Sequence, residues 1–256
     1  FPRAAVLGMK QGMEPSKAAQ VFNIPMKSMN AQAQEVASLV HRGSEVRQRG
    51  ESMEALAAFN AALALDPMNT AALRGRGEVR RQLGMLSEAL EDLDLVLQAK
   101  PHDLLALWNR GKAKLLLGYF AESIKDFDAA LALRPDNAVA LWSRGEAKRH
   151  LGKLGEALRD FDAALLLKPR STGALRSRAE AKLLLGMPEE ALKDIEAALA
   201  VKPEDELTKQ AYCMATQALA ASLDRRKDCM RLEAGQCSMT AKLGYEGDCD
   251  REGCSS

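Results

Sequence analysis

A 34-residue spacing is the feature of this sequence that most restricts its possible folds. Five prolines follow one another at this spacing, namely Pro67, Pro101, Pro135, Pro169 and Pro203. Five glycines keep the same step, namely Gly50, Gly84, Gly118, Gly152 and Gly186. Leucines and small residues form further ladders, such as the one from Leu39 to Leu175. Several independent ladders with one period indicate a repeated structural unit.

Each period predicts two helices. Two residues after every proline stands Asn, Asp or Ser, whose side chain caps the first free N–H groups of a helix. That helix should end at the glycine, which adopts the left-handed conformation easily. A second segment then repeats apolar residues at steps of three and four until the proline, which cannot extend a helix. The units are predicted at residues 36–69, 70–103, 104–137, 138–171 and 172–205.

The composition agrees with an all-α chain. Aromatic residues make up 4% of the sequence, which is low for a β-sandwich, while 47% hydrophobic and 28% charged residues exclude a disordered polar chain. Since one helix pair cannot bury both of its faces, the pairs should stack into an α-solenoid. The net charge of +1 argues against a nucleic-acid partner. No stretch approaches the roughly 18 apolar residues of a membrane-spanning helix.

The repeat closely resembles the tetratricopeptide repeat (TPR) family. The resemblance covers residues 36–205 and rests on four positions of each unit besides its length. These are Gly or Ala at the eighth position, Ala or Ser at the twentieth, a large apolar residue at the twenty-fourth and Pro at the thirty-second. It implies a right-handed superhelix whose first helices line a concave groove.

The same resemblance implies a non-enzymatic scaffold or adaptor that binds a peptide or helix of another protein. It does not name the partner, because one fold serves many functions. A recognition arm of a larger enzyme and a structural subunit of a large assembly remain alternatives, and the oligomeric state is left open. The start at Phe1 and Pro2, without an initiator Met, predicts a fragment or a processed form.

The expected groove is built from the second, fifth, sixth, ninth and twelfth positions of the first helices. Its predicted residues are Arg74, Glu78, Arg81, Leu105, Trp108, Asn109, Lys112, Val139, Trp142, Ser143, Glu146, Arg149, Arg176 and Glu180. Trp108 and Trp142 are the only tryptophans and occupy the same position in adjacent units. Tryptophan often dominates binding energy at interfaces. The two rings could equally pack into the core or against neighbouring helices.

Some TPR proteins bind the acidic C-terminal tails of heat-shock chaperones through a clamp of Lys, Asn and Arg side chains. In the register that begins at the second unit, Arg74 could replace the lysine and Asn109 matches an asparagine. Glu78, Val139 and Ser143 do not supply the remaining clamp residues. Clamp-type chaperone binding is therefore not expected.

Two further ladders depart from the usual TPR pattern. Arginine stands at the seventh position of every unit, at Arg42, Arg76, Arg110, Arg144 and Arg178. Aspartate stands at the twenty-third position of four units, at Asp92, Asp126, Asp160 and Asp194. We favour an Arg–Asp pair that joins the two helices of a unit. A row of arginines that binds acceptor groups of a partner is the alternative.

The segments outside the repeats predict a leader, a cap and a tail. Residues 1–35 predict a mostly irregular leader; a short helix at 16–23 and an adaptable contact surface made of Met9, Met13, Met26 and Met29 are the less favoured alternatives. Residues 206–223 predict a capping helix, and Cys213 falls at its small-residue position, which predicts a buried thiol. The apolar stripe of this helix is predicted at Leu207, Ala211, Met214 and Ala218. Residues 224–256 predict a disordered, Cys-containing tail.

No metal site, cofactor or catalytic residue is predicted. Cys229, Cys237, Cys249 and Cys254 lack a Cys-x-x-Cys pair, so unpaired thiols are favoured over zinc or two disulfides. The chain is not expected to be an enzyme, because its three histidines are isolated and no nucleophile or P-loop motif is present. These histidines are His41, His102 and His150. Cysteines confined to the last 44 residues favour a cytoplasmic or other reducing intracellular compartment.

Overall fold

A computed structural model describes residues 26–242, with side chains described for residues 30–224. Over this part of the chain it contains eleven α-helices and no β-strand. The helices are α1 Met26–Gln48, α2 Ser52–Leu65, α3 Thr70–Gln82, α4 Leu86–Ala99, α5 Leu104–Leu116, α6 Phe120–Leu133, α7 Ala138–His150, α8 Leu154–Leu167, α9 Thr172–Leu184, α10 Pro188–Val201 and α11 Glu206–Lys242. The predicted all-α helical-repeat fold is confirmed. Two predictions lie outside the described residues. One is the helix at 16–23, and the other is the methionine surface, because Met9 and Met13 and the side chains of Met26 and Met29 are not described.

The caps and turns form as the ladders predict. Asn69, Asp103, Asn137 and Ser171 each accept a hydrogen bond from a backbone N–H in the first turn of α3, α5, α7 and α9. The five repeating glycines all have positive φ angles, from +74° to +85°. Only glycine adopts this region without strain, so the ladder determines where the first helix of each pair ends.

A second set of glycines allows the helices of a pair to approach closely. A Cβ atom at Gly145 in α7 would lie 2.6 Å from Cε1 of Phe161 in α8. A Cβ atom at Gly111 in α5 would lie 2.8 Å from Cε1 of Phe127 in α6. Both rings are fully buried. In these two pairs, the eighth position is therefore small because the phenylalanine at the twenty-fourth position occupies the space that a side chain would need.

The chain divides into two compact units, residues 1–169 and 170–256. The described part of the first unit holds α1–α8, in which each helix packs against the next one in sequence. Its main buried cluster includes Phe59, Leu73, Leu93, Val96 and Leu107. The described part of the second unit holds α9–α11, with a core of Ala179, Ala191, Ile195, Ala211 and Ala215. The hand of the superhelix stays a prediction.

Two helix boundaries differ from the predicted ones. α1 begins at Met26, so residues 26–35 are helical rather than irregular. Proline is tolerated ahead of a first helical turn, and Pro25 is therefore compatible with this start. α11 continues to Lys242, so residues 224–242 are helical rather than disordered. Much of that stretch consists of Arg, Lys, Met, Leu, Glu and Ala, whose helix propensity outweighs one glycine.

The last helix buries a different face from the predicted stripe. Thr208, Ala211 and Ala215 are buried, whereas Leu207 and Met214 are 56% and 63% exposed. Cys213 is exposed, so the prediction of a buried thiol is wrong. The equivalent Ala179 of α9 is covered because it belongs to the core shared with α10. No later helix covers α11 within the described residues, and this side of the helix therefore stays open.

The structure offers no candidate for a membrane-spanning segment in the part of the chain that it describes. None of its helices there combines the length and the apolar character that crossing a bilayer requires.

Candidate functional site

Three first helices of the first unit bring most of the predicted groove residues together. α3 packs against α5, and α5 packs against α7. The guanidinium carbon of Arg81 in α3 lies 5.2 Å from the ring centroid of Trp108 in α5. Nζ of Lys112 in α5 lies 4.9 Å from the ring centroid of Trp142 in α7. The predicted positions thus form a continuous surface across three helices.

The two tryptophans combine both roles that the sequence left open. Each ring is half-buried and packs against the cluster of Leu131, Ala140, Leu141 and Ala164. Each ring also carries a cation over its face, at a distance within the roughly 6 Å of a cation–π contact. Each tryptophan therefore packs against the core on one side and forms part of the predicted groove surface on the other.

Two exposed apolar side chains extend the surface of the rings. Leu105 is 52% exposed and lies one helical turn before Trp108 in α5. Val139 is 36% exposed and holds the same place relative to Trp142 in α7. We call these four residues, Leu105, Trp108, Val139 and Trp142, the tryptophan patch.

The carboxylates beside the tryptophan patch already have partners. Glu78 accepts from Nη1 of Arg47 at 2.6 Å, and both side chains are largely buried. Glu146 accepts from Nε of Arg149 at 3.2 Å. Arg47 stands at the twelfth position of the first predicted unit and was not among the predicted groove residues.

Arg81 and Lys112, the two cations over the rings, differ from these carboxylates because neither has an oppositely charged partner among the described side chains. Nε of Arg81 donates to the neutral Asn109 side chain at 2.9 Å. Among the described side chains, no carboxylate lies within ion-pair distance of Arg81 or Lys112. Burial lowers the pKa of Arg81, and the carboxylate of Glu78 only partly opposes this. Burial also lowers the pKa of Lys112; the carboxylate of Glu146 opposes it, and the charge of Arg81 adds to it.

Two predicted groove residues are not presented to a partner. Asn109 is 1% exposed, accepts from Arg81 and donates to the carbonyl of Leu105 at 3.0 Å. Ser143 is fully buried, and its hydroxyl has no hydrogen-bond partner within residues 30–224. Both sixth-position side chains are therefore closed off from the open surface, and that of Asn109 bonds to the preceding first helix.

The fifth-position arginines are tied to helix caps. Arg74 donates to Asp103 at 2.7 Å, and Asp103 also caps α5. In the second unit, Arg176 lies 3.4 Å from Asp205 and 3.7 Å from Glu180. With Arg74 engaged and Asn109 buried, the structure does not present the residues that a chaperone-tail clamp requires.

The Arg–Asp ladder joins the two helices of four pairs. In each, the arginine donates from Nε and Nη2 to the two oxygens of one aspartate at 2.5–3.0 Å. The pairs are Arg76–Asp92, Arg110–Asp126, Arg144–Asp160 and Arg178–Asp194. The aspartates are only 2–5% exposed. The favoured interpretation is confirmed, and this arginine row is not open to acceptor groups of a partner.

The eleventh position supplies a second cation to each aspartate, which was not predicted from the sequence. The additional pairs, at 2.7–2.9 Å, are Arg80–Asp92, Lys114–Asp126, Lys148–Asp160 and Lys182–Asp194. The first pair of helices differs, because its twenty-third position is Ala58. Arg42 bonds there to Glu54 at 2.7 Å, with both side chains exposed.

The described side chains contain no group of three or more His, Cys, Asp or Glu arranged to hold a metal ion. Cys229, Cys237, Cys249 and Cys254 lie outside the described side chains. Their predicted state as unpaired thiols stays a prediction.

Comparisons with known proteins agree with the repeat. A family model described as tetratricopeptide repeat matches residues 42–103 and 108–174. No curated protein matches the sequence significantly. Many solved structures are similar to this chain, and the three described below are 22–23% identical to it, which shows the fold alone.

Three of these structures illustrate the likeness. PilW, a widely conserved type IV pilus biogenesis factor, has a TM-score of 0.68 at 23% identity, covering 78% of this chain and 93% of that one. YrrB, a TPR protein with an unusual peptide-binding site, has a TM-score of 0.58 at 22% identity, covering 72% and 95%. A thermophilic TPR protein of Thermus thermophilus has a TM-score of 0.59 at 23% identity, covering 71% and 99%.

Proposed function

This chain belongs to the tetratricopeptide repeat family, and we propose that it is a scaffold that binds a peptide or helix of another protein on the first helices of its first unit. Members of this family are generally non-catalytic interaction modules. The peptide-binding site of YrrB offers a precedent on a similar fold for such a use of the repeats.

The tryptophan patch is the observation that supports the proposal. Leu105 and Val139 keep large apolar side chains in contact with water, which costs free energy unless a partner covers them. Trp108 and Trp142 are held in place by the core beneath them. Rigid aromatic anchors surrounded by apolar side chains are typical of the residues that dominate binding energy.

Removal of the exposed side chains tests the proposal without disturbing the core. The protein is screened against a displayed library of random 12-residue peptides that lack tryptophan. Binders should change the emission of the protein, because Trp108 and Trp142 are its only tryptophans. The double variant Leu105→Ser with Val139→Ser should lose these binders by about tenfold or more while it keeps the helix content of the wild type.

A matched double variant controls for a general loss of apolar surface. Leu133 and Leu166 lie on the second helices α6 and α8 and are 44% and 84% exposed. Leu133→Ser with Leu166→Ser should retain every binder. If the library yields no binder, or if both double variants bind like the wild type, the tryptophan patch is not a binding site. Replacement of both tryptophans by alanine should also abolish binding, with unfolding curves to separate lost contacts from lost structure.

A further inference from the structure

At and beside the tryptophan patch, hydrogen-bond donors outnumber the acceptors available to them among the described residues. Lys112 carries a charge beside Trp142 and has neither an ion pair nor a hydrogen bond among the described residues. Among the described side chains, the one hydrogen-bond acceptor of Arg81, beside Trp108, is the neutral amide of Asn109. The indole N–H of Trp108 is buried and has no acceptor in the part of the chain that the structure describes.

This arrangement is unfavourable in the free protein. Half-buried cations normally gain a carboxylate partner, since desolvation of an unpaired charge costs free energy. The ladder on the other side of the same helices follows that rule, because each of its aspartates receives two cations. Beside the patch, the charges of Arg81 and Lys112 also repel each other, which contributes to the lowered pKa of Lys112.

The neighbouring acids do not neutralise these cations. Glu78 is engaged with Arg47, and Glu146 is engaged with Arg149. The two glutamates lie near enough to influence the pKa values of Arg81 and Lys112, but beyond ion-pair distance of them. A local positive charge therefore lies beside an open apolar surface in a chain whose net charge is only +1.

From this juxtaposition we infer that the patch selects an acidic segment of another protein, with a carboxylate bound by Lys112 and Arg81 beside apolar side chains that cover Leu105 and Val139. This inference rests on the proposed function and adds the chemistry of the partner. A carboxylate accepts charge-assisted hydrogen bonds from both cations. Cations already held over aromatic rings lose less side-chain entropy when they bind it.

The test compares matched synthetic probes. Two libraries of 12-residue peptides, acetylated and amidated, contain the same apolar residues at randomised positions. One library carries Glu and Asp, and the other carries Gln and Asn at the same positions. The wild-type protein should bind the acidic library about tenfold more tightly, as expected for one charge-assisted hydrogen-bond pair. The preference should decrease as salt is added.

Three variants show whether the preference for the acidic library depends on Lys112. Lys112→Met keeps the aliphatic stem near Trp142 and should bind both libraries equally. Lys112→Arg should restore the preference for acid. Lys125→Met removes the same charge from an exposed position of α6 and should bind like the wild type. Equal losses in Lys112→Met and Lys125→Met would reduce the effect to general electrostatic attraction and overturn the inference.

The outcomes also separate this inference from the proposed function. If neither library binds, the proposed function fails with it. If both libraries bind equally and both lose binding in the Leu105→Ser, Val139→Ser variant, the patch is a binding site but has no acidic selectivity. A third library, with phosphoserine at the acidic positions, is compared with the Glu and Asp library. Clearly tighter binding of the phosphoserine library would contradict the assignment of a carboxylate.

Discussion

Replacement of Asp126 by asparagine is expected to destabilise the first unit strongly. Asp126 is 4% exposed, accepts two hydrogen bonds from Arg110 and forms an ion pair with Lys114. The variant keeps the shape of the side chain and removes its charge. Two neighbouring cations, Arg110 and Lys114, would then face a neutral amide at a buried position.

The size of this loss of stability follows from how deeply Asp126, Arg110 and Lys114 are buried. Breaking a buried ion pair by removal of one partner costs about 3–5 kcal/mol. The side chains of Arg110 and Lys114 are 22% and 20% exposed, so water recovers part of their solvation. Arg110 also keeps its ion pair with Asp94 at 2.7 Å. We therefore expect the lower end of the range, about 3 kcal/mol.

Asp128 provides the matched control on the same helix. It accepts from Nη1 of Arg144 at 2.7 Å, but its side chain is 54% exposed. An exposed pair contributes about 0–1 kcal/mol, so Asp128→Asn should change the stability little. Both variants remove one negative charge, which cancels effects of net charge.

Urea unfolding followed by circular dichroism at neutral pH measures the difference. The midpoint for Asp126→Asn should shift well below that of Asp128→Asn, with slopes similar to the wild type. A changed slope would indicate that the repeats no longer unfold together. Equal midpoints for the two variants would refute the idea that the buried ladder joins the helices of a pair.

Three further outcomes are expected. Gly145→Ala should lower the free energy of unfolding by about 1–3 kcal/mol because its Cβ would overlap a buried phenylalanine ring. Gly155→Ala in α8, with open space around it, should leave the free energy of unfolding unchanged or raise it by up to about 1 kcal/mol in the same urea assay. Lys112→Met should stabilise the chain at pH 7, and this gain should shrink as the pH rises through the lowered pKa of Lys112 toward 10.5, since the unfolded state binds more protons there. With the four tail cysteines replaced by serine, a thiol reagent should label Cys213 rapidly in the native protein but not a cysteine placed at the buried Ala179, and slow labelling of Cys213 would contradict the open face of α11.

Features within one helix pair were predictable from the sequence. The Arg–Asp pair could be predicted because the seventh and twenty-third positions face each other whenever two helices are joined by the same short glycine turn. The small residue at Gly145 and the ring of Phe161 follow from the same fixed geometry. The eleventh-position cation lies one turn after the arginine, and this spacing could have identified Lys114 as well.

Features that depend on the next pair were less predictable. The repeat pattern predicts Asn109 in the groove, yet it is buried because its position lies against Arg81 of the preceding first helix. Cys213 occupies a position that is buried elsewhere, yet it is exposed because no described helix follows α11. Neither outcome can be derived from the residue alone, since both depend on what packs against it.

The period, the caps, the turns and the contacts inside each helix pair follow from the amino-acid sequence, because they depend on residues that are close along the chain. Which faces stay open and which charges lack a partner follows instead from how the helix pairs pack on one another. Exposure and desolvation depend on all neighbouring helices at once, and a repeat pattern assigns every unit the same neighbours. Lys112 and Lys114 lie two residues apart on α5, yet one is left beside Trp142 and the other completes a buried ion cluster.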